Sequence, residues 1–163
     1  GITKTEQRLL LADDFWLYDT PGMLWPKIIV PQSGYNLAAS GAVGRNALDE
    51  ETVALELLNY LRQHYLPQLQ ARYQADPEES QSWQDTDWLE WIGRRRGALL
   101  GGGRINYQKA AENTLTDFRD GQIGRITLET PEQWQIWLAA AREEEARLQA
   151  KRAERQAERR KGK

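Results

Sequence analysis

Asp19-Thr20-Pro21-Gly22 follows a short apolar run, Phe15 to Tyr18. An aspartate at the end of a strand suits a magnesium ion, usually held through water. A glycine two or three residues later can offer its backbone N–H to a terminal phosphate. Glycine is favoured there because the backbone must approach an anion closely and rearrange when that phosphate leaves. Asp19 and Gly22 have this D-x-x-G spacing. Thr3, sixteen residues upstream in Gly1-Ile2-Thr3, stands where a threonine hydroxyl would join the aspartate as a magnesium ligand. The tetrapeptide by itself also fits an ordinary turn at a strand end.

A second set of candidates is cationic. Arg94, Arg95 and Arg96 end a predicted helix, and Arg104, Lys109 and Arg125 follow. Such a cluster complements a helix dipole and is solvated. It also suits phosphate contacts, each of which steepens the salt dependence of binding. Gly101 to Gly103 reads as a connector or hinge, since it follows a helix and lacks the Gly-Lys-Ser/Thr of a phosphate loop. The pairs Trp88/Trp91 and Trp134/Trp137 have the i, i+3 spacing of a core stripe rather than of a base-stacking platform. RNA would then be recognised through shape and backbone. A lone histidine, His64, makes no metal site, and the lack of cysteine excludes disulfides and thiolate metal centres.

These residues need elements to position them. Leu9 to Ala12 and Phe15 to Tyr18, joined by Asp13-Asp14, predict a hairpin. Two strands alone are marginal in water, so the expectation is a sheet whose other strands lie outside this chain. From about Asn46 helix punctuation takes over. Asp49 caps a helix with Ala54, Leu57, Leu58, Leu61 and Tyr65 on one face, and a short helix with Pro67 in its first turn follows. Gln74 to Asp87 reads as a polar acidic loop or linker. Trp88, Trp91 and Ile92 mark a helix ending at Gly97. Asn106 caps another, with Tyr107, Ala111, Thr114, Leu115 and Phe118 inward and Gly121 as its stop. Gly124 to Glu129 reads as a short extended piece. Thr130, Pro131 and Gln133 form a capping box with the favoured proline. Beyond Leu148 the large apolar residues cease, which predicts a helix fraying into a solvated basic tail. That tail is either a solubility element or an arm that orders on RNA.

The formal net charge of −2 and pI near 5.6 do not describe an overall polyanion binder, but acids and bases are segregated along the chain. No apolar stretch approaches the ~20 residues needed to span a bilayer. No charged-then-apolar leader opens the chain, which predicts a soluble cytoplasmic protein without a membrane partner. A chain that opens on Gly1 is expected to be a piece whose upstream partner is absent.

Proline at position 21 is the variant of translation-type GTPases. "GITKTEQ…DTPGMLWPK", "NLAASGAVG" and "GRRRGALLGGGRINYQKAAENTLTDFRDGQIGRITLE" extend the match. From Gly1 to about Glu129 the chain resembles the C-terminal part of the ribosome biogenesis GTPase A family, the YlqF group. The resemblance implies a circularly permuted GTPase whose guanine-specificity motif and P-loop precede the switch threonine. The lack of an Asn-Lys-x-Asp motif after Gly22 agrees with this.

It implies a mainly α fold: a two-strand remnant of a P-loop GTPase α/β sheet, then a small helical-bundle C-terminal domain. The expected divisions are 1–40 for the GTPase part, 41–130 for a helical RNA- or ribosome-binding domain, and 131–163 for the last helix and basic tail. Thr3, Asp19 and Gly22 would serve GTP or GDP, with Thr3 and Asp19 on Mg2+. Arg94, Arg95, Arg96, Arg104, Lys109 and Arg125 would meet ribosomal RNA in the large ribosomal subunit precursor. Met23 stands where Ras-like enzymes place the water-orienting glutamine, so another group would take that role. The intact parent would hydrolyse GTP, whereas this portion alone is expected to be inactive. The alternative is a non-enzymatic helical RNA- or protein-binding module in which the DTPG hairpin only packs.

Overall fold

The computed structural model describes residues 7–19, 28–44 and 48–161. Strands β1 (Gln7–Ala12) and β2 (Phe15–Asp19) form an antiparallel hairpin. The Asp13-Asp14 turn closes it with Asp14 in the left-handed region, which aspartate tolerates better than most residues. Register pairs Leu9 with Leu17 and Leu10 with Trp16, with an irregularity between Leu10 and Ala12. Leu9 to Leu11 and Phe15 to Tyr18 are all exposed, so neither face of the ribbon is covered by the described residues. The guanidinium of Arg8 lies 4.9 Å from the Trp16 ring centroid.

The rest is helical. Helices α1 (Pro31–Ala39), α2 (Glu50–His64), α3 (Leu66–Tyr73), α4 (Asp85–Arg95), α5 (Tyr107–Arg119) and α6 (Pro131–Lys161) follow in order. This is the expected mainly α fold with a small strand element. The core is the meeting of α2, α4 and α5, with α1 and α3 packed on α2. Leu57, Leu58, Leu61, Leu69, Trp88, Leu89, Ile92 and Leu115 are buried there. The Asp49 carboxylate accepts the Thr52 N–H at 2.9 Å and starts α2. Asn106 accepts the Lys109 N–H at 3.0 Å and starts α5. Thr130 and Gln133 exchange the two bonds of a capping box.

Helix α1 lies in a stretch for which no helix was anticipated. Its C-terminal carbonyls, Ala38 and Ala39, each accept a 2.9 Å bond from the Arg119 guanidinium. Gly41, at φ +82°, lets the chain turn directly beside that guanidinium, where a Cβ would meet Arg119 Nε at 3.4 Å.

Four local expectations are corrected. The Gln74–Asp87 stretch is a packed connection rather than a free linker. Asp76 accepts the N–H groups of Glu78 and Glu79, Ser80 is buried, and Trp83 packs edge-on against Trp88 and tilted against Trp91. Tyr107 is exposed, whereas Ala110 and Asp117 point inward from α5. Residues 124–129 pair with no strand among the described residues. They are fixed instead by tyrosines of α2 and the α2–α3 junction: Tyr60 and Tyr65 donate to the Thr127 carbonyl, and the Thr127 N–H donates back to Tyr65. Finally, α6 does not fray after Leu148 but continues to Lys161. Alanine, glutamate, glutamine, lysine and arginine are all strong helix formers, so the helix persists without a core.

Candidate nucleic-acid interface and switch strand

Strand β2 carries Asp19 to its end, opposite Gln7. Thr3, Gly22 and Met23 lie outside the described residues, as does the Asp19 side chain. A threonine hydroxyl and a carboxylate are hard oxygen donors of the kind Mg2+ takes, so the donor set fits that ion. Among the described residues no group of three His, Cys, Asp or Glu could hold a metal.

The cationic candidates fall on the fully described part of the chain, and the fold divides them. Arg94 and Arg104 line one open depression of about 520 Å³ with Glu90, Leu100, Gly103 and Tyr107. Helix α4 supplies Arg94 and Glu90, which face each other across one helical turn at 3.8 Å. Tyr107 donates to the same Glu90 at 2.7 Å, and that bond to a carboxylate raises its phenol above its ordinary value. The glycine turn at 101–103 is exposed, with Gly102 and Gly103 at φ near +75°. An isolated pairing of Leu99 with Ile105 closes it, so the turn presents Arg104 beside α4.

Arg95 and Arg96 turn the other way. Arg95 donates to the Gln74 side chain at the end of α3. Arg96 meets the Asp117 carboxylate at 3.1 Å, and Arg72 of α3 meets it at 3.0 Å. Asp117 is 2% exposed, while the two arginines reach solvent. A carboxylate survives at such a site only when paired. One buried anion therefore ties the ends of α3 and α4 to α5 and holds two guanidinium groups along one edge. The bond to Asp117 raises the Arg72 guanidinium further above its ordinary value. Burial, reinforced by the negative charge of Asp117, pushes the neighbouring Tyr73 phenol up.

Lys109 is spent on Glu112 at 2.9 Å, one turn along α5. Arg125 is exposed in the connection after α5. The expected set thus separates into an Arg94/Arg104 depression, Arg96 on an edge it shares with Arg72 and with Arg95 nearby, and two outliers, Lys109 and Arg125. Arg72 and Asp117 are the members that sequence reasoning missed. The available signal was Asp117 at i+3 from Thr114 and i+7 from Ala110, an acid on an apolar stripe. Of the tryptophans, Trp88 is fully buried and Trp91 packs on the core, donating to the Tyr73 carbonyl at 3.0 Å. Trp134 is instead 41% exposed, on an apolar groove between α1, α6 and the 126–129 connection.

In sequence, strand β2 runs into Asp-Thr-Pro-Gly, and a helical bundle with an arginine-bearing edge follows later in the chain. No family model matches the chain. It is 37% identical over 136 residues to the ribosome biogenesis GTPase A of Bacillus cereus, covering 82% of this chain and 44% of that protein. The same-named protein of Priestia megaterium is 38% identical over 133 residues, covering 80% and 44%. The mouse mitochondrial ribosome-associated GTPase 1 is 31% identical over 129 residues, covering 70% and 37%. By sequence the chain belongs with the ribosome biogenesis GTPase A family. It spans less than half the length of the curated relatives it matches.

Proposed function

We propose that this chain is the C-terminal portion of a circularly permuted, magnesium-dependent GTPase that assists assembly of the large ribosomal subunit in the cytoplasm. In this reading Asp19 and Thr3 hold Mg2+ and Gly22 gives its N–H to the terminal phosphate of GTP. The ion would neutralise charge on the phosphates when bound. The helical part meets ribosomal RNA through Arg94 and Arg104 on one side and Arg72, Arg95 and Arg96 on the other, with Lys109 and Arg125 as further cations. The observation that carries the reading is the identity of about four residues in ten to ribosome biogenesis GTPases across four-fifths of the chain.

Two measurements test it. The chain alone is expected to bind GTP no tighter than about micromolar, since it lacks a Gly-Lys-Ser/Thr phosphate loop and a base-reading motif. Tighter binding in an equilibrium titration removes the permutation argument. In the intact parent protein, Asp19→Ala is expected to slow GTP hydrolysis on the order of 100-fold, the scale seen when one electrostatic stabiliser is removed. Unchanged turnover would leave DTPG as a structural turn and favour the non-enzymatic module.

A further inference from the structure

We infer that the C-terminal half of α6 is a second RNA-contacting element, a helical cationic arm that reaches away from the bundle to the phosphate backbone of structured RNA. This rests on the proposed RNA partner but not on the arginines of α4. Helix α6 is anchored near its start. Trp134 and Leu138 line the groove against α1, and Trp137 faces residues of α2. From Ala146 through Arg155 every residue is exposed. At 1.5 Å per residue, the helix runs roughly 20 Å beyond Leu148.

The charge on this free segment opposes that of the rest of the chain. Residues 147–163 carry eight basic and two acidic side chains, against fourteen basic and twenty-two acidic in residues 1–146. Lys151 and Arg155 stand one helical turn apart with Arg152 beside Lys151, so the helix gathers the three along one side. After Leu148 the only apolar residues are alanines. A protein partner would need an apolar or aromatic centre to bury, and this segment offers none. A phosphate backbone needs only cations, and arginine forks match phosphate oxygens in pairs. The helix matters because it holds the charges in a fixed row instead of dispersing them in a coil.

The test is binding of the full chain to transcribed large-subunit ribosomal RNA from about 50 to about 200 mM salt. The comparison is a variant carrying Lys151→Gln, Arg152→Gln and Arg155→Gln. Glutamine preserves helicity, and an unchanged thermal midpoint will show that the bundle is intact. The expected result is at least a roughly tenfold loss of affinity at low salt and a fall of about 2 to 3 in the slope of log K against log salt, one increment per lost phosphate contact. Equal slopes for both proteins overturn the arm and leave the bundle's own RNA contact standing. Absence of RNA binding by either protein at low salt overturns the RNA reading itself, and the arm with it. Binding of polyglutamate as tight as RNA at equal salt marks a generic acidic partner and overturns the assignment to RNA.

Discussion

Asp117 holds Arg72 and Arg96 from two other helices while almost wholly withdrawn from water. Removing one partner of a buried pair costs ~3–5 kcal/mol when the remaining charge stays buried. Here the orphaned arginines can reach solvent, so Asp117→Ala is expected to destabilise the bundle by a smaller amount, about 1–3 kcal/mol. Urea melts would read this directly, and a midpoint equal to wild type would show that the triad is only a surface arrangement. Asp49 makes a different prediction. The Thr52 N–H, then the Thr52 hydroxyl, bind its charged form and hold its carboxyl below the ordinary 3.8. A depressed folded-state value means that the cap's contribution is full above about 3.8 and is lost as pH falls through the lower folded value. Asp49→Ser keeps an acceptor that does not titrate. The gap in melting temperature between wild type and Asp49→Ser should therefore change in favour of the serine protein on acidification. A constant gap would assign the cap no role in acid stability.

At the scale of elements, α4 and α5 approach each other at Gly93. A Cβ there would stand 3.0 Å from Ile105 Cγ2 and 3.3 Å from the Ala110 Cβ. Alanine gains up to about 1 kcal/mol of helix propensity over glycine, while overpacking a tight contact costs ~1–3 kcal/mol. The contact should prevail, giving Gly93→Ala a net loss of about 1 kcal/mol. Ile105→Ala removes the Cγ2 methyl that the new Cβ would meet, so the double variant should lose less than the sum of the two single losses. Additive losses would show that the two positions do not share the contact. The 124–129 connection teaches a related lesson. Its Ile126 and Leu128 alternate as in a strand, yet a strand requires a neighbour, and two tyrosine hydroxyls take the place of one.

For the whole molecule, the hairpin and the bundle make different claims on the surrounding solvent. The bundle has a closed core, whereas the hairpin leaves both apolar faces exposed. Under the proposed function the hairpin's edges belong beside further strands of a GTPase sheet and its faces under that sheet's helices. Deleting residues 1–19 should then leave the bundle's unfolding free energy within about 0.5 kcal/mol of the full chain and lower any self-association. A large loss of stability in a chemical melt would instead place the hairpin in the bundle's core, as the binding-module alternative requires.

The helix caps at Asp49, Asn106 and Thr130, the Asp13-Asp14 turn and the apolar stripe of α2 were legible in the sequence. Each is an interaction among residues at most a few positions apart, so spacing alone encodes it. The family match likewise needed only the order of residues. The tertiary structure alone decided which cations share a surface. Arg72 and Arg96 converge on Asp117 from 45 and 21 positions away, and Arg119 closes α1 across 80. No local period carries contacts of that length. They exist because packing α4 and α5 on α2 leaves a buried carboxylate that only guanidinium groups from neighbouring helices can neutralise.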